Sequence, residues 1–459
     1  MVTYGVEKGW PDMQTQFSFT EGNIFKQLVQ FSAPIMLTNL LQTSYQLVDS
    51  LWIGNLLGAS ALGAVSISGA IVFTVLSFVI GMNNAALTIL SQQKGRRDHA
   101  GLKRYLNAFV VMFTVMSVSL GVFGYLLSEA LLGLLGTPAS MMAEAKAYLQ
   151  INFIGMLFLF GYNFISTVLR ALGDSKTPLM FVMIAVLLNV VIDPLFIAGF
   201  KLGIEGAAIA TILSQGSAFV IGLVYVLRKR LAPFDIPSKP AAKDIRLILK
   251  LGIPSGLQTS VISAGSAAIM SVVTQFGGAV VAGYGAAQRL DRLVMLPAQA
   301  LGTAVNSMAG QNIGIRNWQR VSAVTKYTLI YNFLVMGVMG LCIFVFAEFG
   351  VKLFIDDPEA IAFGSKYLKI MAFFFPFLGV NFILNGVVRA AGAMYQVLVL
   401  NILSFWVLRF PLTSLFSHFY GDTGIAIGMG ASFVVSCLFA SLYYRYGKWR
   451  QKQLFAKSS

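Results

Sequence analysis

At 459 residues, with 57% hydrophobic and only 11% charged side chains and a mean hydropathy of +0.76, the chain is too apolar to dissolve as a globular domain. A net charge of +15 would suit a nucleic-acid binder, but most of the bases lie in the breaks between long apolar runs, which argues against that class and points to a membrane protein.

Met1 to Lys26 mixes Glu7, Lys8, Asp12 and Glu21 with polar residues and lacks the basic start, apolar stretch and small-residue cleavage site of a secretory signal. The first span is therefore expected to direct insertion. Runs long enough to cross a bilayer, about 20 residues each, follow at roughly 28–53, 62–90, 105–127, 148–170, 178–200, 206–227, 247–274, 286–308, 325–347, 367–389, 395–416 and 424–445. This predicts an all-α integral membrane protein of twelve transmembrane helices in two six-helix bundles. The first bundle occupies 1–227, a proline-bearing linker 228–246, and the second bundle with a basic tail 247–459.

Assigning alternate breaks to opposite sides gathers most of the 33 bases on one side, including Lys94, Arg96, Arg97, Lys103, Arg104, Arg170, Arg316, Arg320 and Arg389. The other side holds only Lys146, Lys201, Lys352, Lys366 and Lys369. By the positive-inside bias both termini are expected in the cytoplasm, with the protein in the cytoplasmic (inner) membrane. Cys342 and Cys437 both sit within apolar runs, so neither a disulfide framework nor a metal site is expected.

A shift of about 219 residues superimposes separated landmarks. Phe31-Ser-Ala-Pro34 falls on Leu251-Gly-Ile-Pro254, and Ser91-Gln92-Gln93-Lys94-Gly95 on Gly310-Gln311-Asn312-Ile313-Gly314. Val168-Leu-Arg170-Ala171-Leu-Gly173 falls on Val387-Val-Arg389-Ala390-Ala-Gly392. The halves therefore run in the same sense about an axis along the membrane normal. Parallel repeats of this kind build transporters, in which one bundle rocks against the other around a central site.

Ionisable residues inside spans are functional candidates because they are costly there. Asp49 shares one face of the first span with Gln42 and Tyr45, and Asp193 shares one face of the fifth with Asn189. No base lies near either acid in sequence, so each is expected to hold a proton, a metal cation or a cationic substrate. Pro34 and Pro194 interrupt the backbone ladders of those two spans and are candidate bends. The second half lacks these acids, with Ile269 near the place of Asp49 and Leu412 near that of Asp193. It carries instead Arg289, Asp291 and Arg292, read as a mutually paired structural cluster, and Arg409. Met36, Phe158 and Met180 are candidates for lining a greasy cavity. With His99 and His418 the only histidines, and both outside any nucleophile or metal setting, an enzyme is not expected.

Leu47-Val-Asp49-Ser-Leu-Trp-Ile-Gly54, Val168-Leu-Arg-Ala-Leu-Gly-Asp174-Ser-Lys-Thr-Pro178, Asn189-x-x-x-Asp193-Pro-Leu-Phe-Ile and Gly310-Gln-Asn-Ile-Gly314, in this order on a 6 + 6 plan, resemble the multidrug and toxic compound extrusion family over nearly the whole chain. The resemblance implies V-shaped lobes and an antiporter that exports cationic or amphipathic compounds in exchange for H⁺ or Na⁺. It implies no cofactor, no nucleic-acid partner and a monomer among membrane lipids. By position, the cation site would fall on Asp49, Asn189, Asp193 and Thr211, where Na⁺ is the alternative to a proton. Gln42, Tyr45 and Asn163 would line the adjoining cavity, and Pro34 would be the helix bend. No Asp or Glu occurs at 247–274 or 367–389, where one bacterial branch binds its cation. That favours the branch of the DNA-damage-inducible F and archaeal-type exporters. A lipid-linked oligosaccharide flippase or another secondary solute carrier is the alternative.

Overall fold

The structure is a computed structural model that describes residues 18–455; Glu7, Lys8, Asp12 and Lys457 lie outside the described residues. Twelve helical spans follow one another within it, and no strand occurs among the described residues. They are α1 (Ile24–Leu57), α2 (Ala59–Gly95), α3 (His99–Leu134), α4 (Ala139–Ile154 and Met156–Leu172), α5 (Lys176–Pro194 continued by Leu195–Gly199) and α6 (Gly203–Arg228). The second half repeats the plan as α7 (Ala242–Val273), α8 (Gly278–Gly314), α9 (Trp318–Lys352), α10 (Pro358–Ala372 and Phe375–Ala390), α11 (Met394–Ile402, Leu403–Arg409 and Phe410–Tyr420) and α12 (Thr423–Tyr446).

The repeat extends to the helix ends. Asp98 caps α3 by accepting from the Gly101 N–H at 2.8 Å, and Asn317, its counterpart, caps α9 by accepting from Arg320 N–H at 3.0 Å. Gly173 ends α4 and Gly392 follows α10, both at positive φ, 98° and 80°. Eight spans are single apolar helices, whereas α4 and α10 each cross as two segments bent by 50° and 55°. The breaks fall at Gly155 and at Phe373-Phe374, with Pro376 opening the second segment of α10.

α1 and α8 are as long as their neighbours but are interrupted by polar side chains: Asn39, Gln42, Gln46 and Asp49 in one, Gln288, Arg289, Asp291 and Gln299 in the other. Their place explains it, since α1 packs on α5 within its own half and on α8 across the molecule. α3 and α9 are little buried and expose large apolar residues: Val115, Val118, Val122 and Leu126 on one, Leu334, Val338, Leu341 and Val345 on the other. Those rows suit lipid contact.

The two lobes meet at the end that carries the bases. Thr88 Oγ1 donates to the Arg389 carbonyl at 3.2 Å, and Gln92 Nε2 to the Ala390 carbonyl at 2.6 Å. Ser307 Oγ donates to the Arg170 carbonyl at 2.7 Å, and Gln311 Nε2 to the Ala171 carbonyl at 3.1 Å. Each pair is the repeat image of the other, so the clasp is two-fold. The segment before α1 tightens it: Phe19 is buried, its N–H donates to Gln311 Oε1 at 3.0 Å, and its carbonyl accepts from Arg320 Nε at 2.8 Å.

Candidate functional site

α1 and α5 bring the two acids of the first lobe together. Asp49 and Asp193 are near enough for each to feel the other's charge. Asn189, one turn before Asp193, donates from Nδ2 to Asp193 Oδ1 at 2.9 Å, and both residues are fully buried. What remains is a surplus of acceptors: Asp49 Oδ1, Asp193 Oδ2 and Asn189 Oδ1 are buried without a donor. Two ionised carboxylates offer only acceptors, so a proton or a metal cation is the element that would complete the cluster. Oxygen-only donors of this kind suit a hard cation.

Pro194 directly follows Asp193. Having no N–H it loosens the ladder, and α5 continues through a wider π-helical turn over Leu195–Gly199. Pro34 behaves differently, since α1 runs through it as one uninterrupted helix, with Thr38 Oγ1 donating to the Pro34 carbonyl at 2.7 Å.

Tyr45 stands one turn before Asp49 on the same face, close to both acids, and its hydroxyl donates to Thr211 Oγ1 of α6 at 3.1 Å. Thr211 is therefore bonded to Tyr45, which in turn lies within reach of the acids' charge. Gln42, Tyr45 and Asn163 line a polar cavity of about 360 Å³ that also takes in Asn39, Asn83, Tyr162, Ser166 and Arg170. Gln299 and Thr303 of α8 close it from the other lobe. Asp49, Asn189, Asp193 and Thr211 are not among its lining residues, so the acid cluster sits behind the cavity wall, with Tyr45 common to both.

Several residues at the site carry no local sequence signal. Tyr148 of α4 lies near enough to both acids to feel their charge, and Tyr162 lines the cavity together with Gln42. Arg170, grouped with the loop bases by sequence, stands in the last turn of α4 with its Nε buried. None of Met36, Phe158 and Met180 lines the cavity, whose apolar share comes from residues such as Leu76, Ile80 and Leu159.

In the second lobe the expected mutual pairing of Arg289, Asp291 and Arg292 does not form: no ion pair joins them among the described residues. Successive helical positions point apart, and Asp291 instead accepts from the Tyr367 hydroxyl at 3.0 Å. Arg289 lies over the Phe354 ring, 5.1 Å from its centroid. Arg409 is sandwiched by Phe405 and Phe433, at 3.8 and 4.7 Å.

The MatE family profile matches the chain twice, at residues 34–195 and 254–415, one match for each half. The chain is 60% identical over 441 residues to "Probable multidrug resistance protein YpnP" of Bacillus subtilis (strain 168), covering 96% of this chain and 99% of that protein. It is 30% identical to "Probable multidrug resistance protein YoeA" of the same organism, over 94% and 96% of the two chains. Its fold matches a solved outward-facing multidrug resistance MATE family transporter of the MOP superfamily with a TM-score of 0.90, at 22% identity over 97% of this chain and 100% of that one. Family profile and relatives show that this multi-pass membrane protein belongs to the MatE family of multidrug and toxic compound extrusion transporters, which are carriers and not enzymes.

Proposed function

We propose that the protein is an antiporter that exports cationic or amphipathic organic compounds across the cytoplasmic membrane while H⁺ or Na⁺ enters in exchange. The observation that carries this reading is the proximity of Asp49 to the buried Asp193–Asn189 pair, with Asp49 Oδ1, Asp193 Oδ2 and Asn189 Oδ1 all buried without a donor. Two neighbouring carboxylates in a largely dry bundle repel each other unless a proton or a small cation neutralises one of them. The pair is therefore a loading site for one of these ions. Tyr45 links its state to the cavity wall, so filling the site changes the charge and shape that a bound compound meets. Asp49, Asn189, Asp193 and Thr211 are the coupling residues in this scheme, and Gln42, Tyr45 and Asn163 contact the compound.

Residues 1–227 and 247–459 form the two lobes, joined by 228–246, and rock as units within a monomer. The basic end faces the cytoplasm with both termini. The clasp of Thr88, Gln92, Ser307 and Gln311 closes that end, which suits a state open to the outside. Pro34 is a place where α1 bends in the opposite phase. The names of the two Bacillus relatives support drug-like substrates.

The test is efflux of a fluorescent organic cation from proteoliposomes, with proton and sodium gradients imposed separately. Efflux should respond to one gradient and be lost in Asp193→Asn and in Asp49→Asn, whose amides keep the shape without cycling an ion. Uphill transport that survives the double substitution would remove the coupling assignment.

A further inference from the structure

The polarity of the cavity does not match a purely cationic ligand. Its walls bear amides from Asn39, Gln42, Asn83 and Gln299, but no Asp or Glu, and its one charged lining residue is Arg170. The Arg170 Nε is buried without a hydrogen-bond partner, and no described carboxylate forms an ion pair with its guanidinium. The Arg170 carbonyl is held by Ser307 at 2.7 Å, which fixes the last turn of α4 at the lobe seam while the side chain lines the cavity.

A guanidinium whose Nε is buried without a partner and that has no anion within ion-pair distance is electrostatically incomplete. Its planar fork matches a carboxylate, which takes two parallel N–H donations. The surrounding amides would orient the rest of such a ligand, whereas a bare cation at this wall would meet like charge. The acids that would attract a cation stand behind the wall, beyond Tyr45.

We propose that this cavity is a carboxylate-binding subsite anchored by Arg170, so that the substrates include zwitterionic and anionic organic molecules. The inference rests on the transport reading for its purpose, but its test needs no gradient. Arg389, the repeat image of Arg170, supplies the control: its Nε is also buried without a partner, yet it does not line the cavity.

Equilibrium binding to the purified full chain is measured by fluorescence anisotropy with rhodamine 110, which carries a free carboxylate, and rhodamine 123, its methyl ester. The parent should bind the carboxylate dye about tenfold more tightly, as expected for one charge-assisted pair. Arg170→Gln should bring the two affinities together by weakening rhodamine 110 alone, and Arg389→Gln should keep the preference. Equal affinities in the parent, no binding of rhodamine 110, a preference that survives Arg170→Gln, or equal loss in Arg389→Gln would each overturn the proposal. If Arg170→Gln fails to fold, Arg170→Lys decides, because it retains the charge but not the fork. The preference should then shrink by about threefold, and an undiminished preference overturns the proposal. Failure here leaves ion-coupled export standing, whereas gradient-independent efflux with the preference intact removes only the export reading.

Discussion

At the scale of single residues, the first lobe concentrates its cost in a few side chains. Asp49, Asn189 and Asp193 leave three buried acceptors without donors in a helical bundle, where each such group costs about 1–3 kcal/mol. A scaffold that needed only packing would have apolar residues there, as the second lobe has with Ile269, 1% exposed. Tyr45 lines the cavity one turn before Asp49 and is bonded to Thr211. Tyr45→Phe removes the 3.1 Å bond to Thr211 and keeps the ring. It should cost about 1 kcal/mol of stability and make substrate affinity less responsive to H⁺ or Na⁺. Thermal unfolding and binding isotherms with and without the coupling ion measure the two effects. An unchanged ion response would remove Tyr45 from the link.

Among the elements, the ends of α2 and α8 decide how the lobes close. Gly95 and Gly314 are repeat partners, and each lets the opposite helix approach: a Cβ at Gly95 would overlap the Gln311 carbonyl, and one at Gly314 the Gln92 carbonyl. Gln92 and Gln311 in turn make the clasp bonds. Gly95→Ala should therefore part the lobes at the basic end. A reporter cysteine at the buried Ala304, in a chain with Cys342 and Cys437 replaced by serine, should then react with aqueous maleimide about tenfold faster. An unaltered rate would mean that the seam absorbs the methyl without opening. Gln92→Ala with Gln311→Ala should act in the same direction, each lost bond contributing about 1 kcal/mol.

Over the whole molecule, chain segments cross from each lobe to the other and limit how far the halves can separate. The described residues before α1 lie on the second lobe, where Arg320 Nη2 donates to the Glu21 and Gly22 carbonyls at 2.7 and 2.9 Å. The last described residues return to the first lobe, where Phe455 packs on Tyr105 with centroids 5.5 Å apart. The linker is fastened to α3 by two ion pairs, Lys103 to Asp235 at 2.8 Å and Arg104 to Asp244 at 3.2 Å. Lys103, by donating to Asp235, holds that exposed carboxyl below the usual carboxylate range. Its contribution is present at neutral pH and fades as pH falls through the lowered value. Asp244 is buried, 1% exposed, and cannot turn to water. Arg104→Ala should therefore cost about 2 kcal/mol, a buried-pair loss discounted for the half-exposed arginine. A fall in melting temperature, restored in part by Arg104→Lys, checks this; no fall would show that water already reaches Asp244.

Sequence alone determined the membrane as solvent, the twelve spans, the two parallel halves, and the acids worth attention. All of these rest on local quantities: hydropathy over about 20 residues, a fixed repeat offset, and a charge where none is expected. Spacing also placed Gln42 and Tyr45 on the face of Asp49, because helical periodicity is local. Which faces meet depends on the rotation of each helix and on the angle between the lobes, and no window of sequence encodes either. Only the tertiary structure therefore joined Asp49 to Asp193 across 144 residues of chain, the difference of their positions. It also moved Arg170 from the loops into the cavity wall and separated Asp291 from its sequence neighbours by pointing it at Tyr367. The crossed clasp has the same origin, since a repeat offset reveals two equal halves but not the surfaces they turn toward one another.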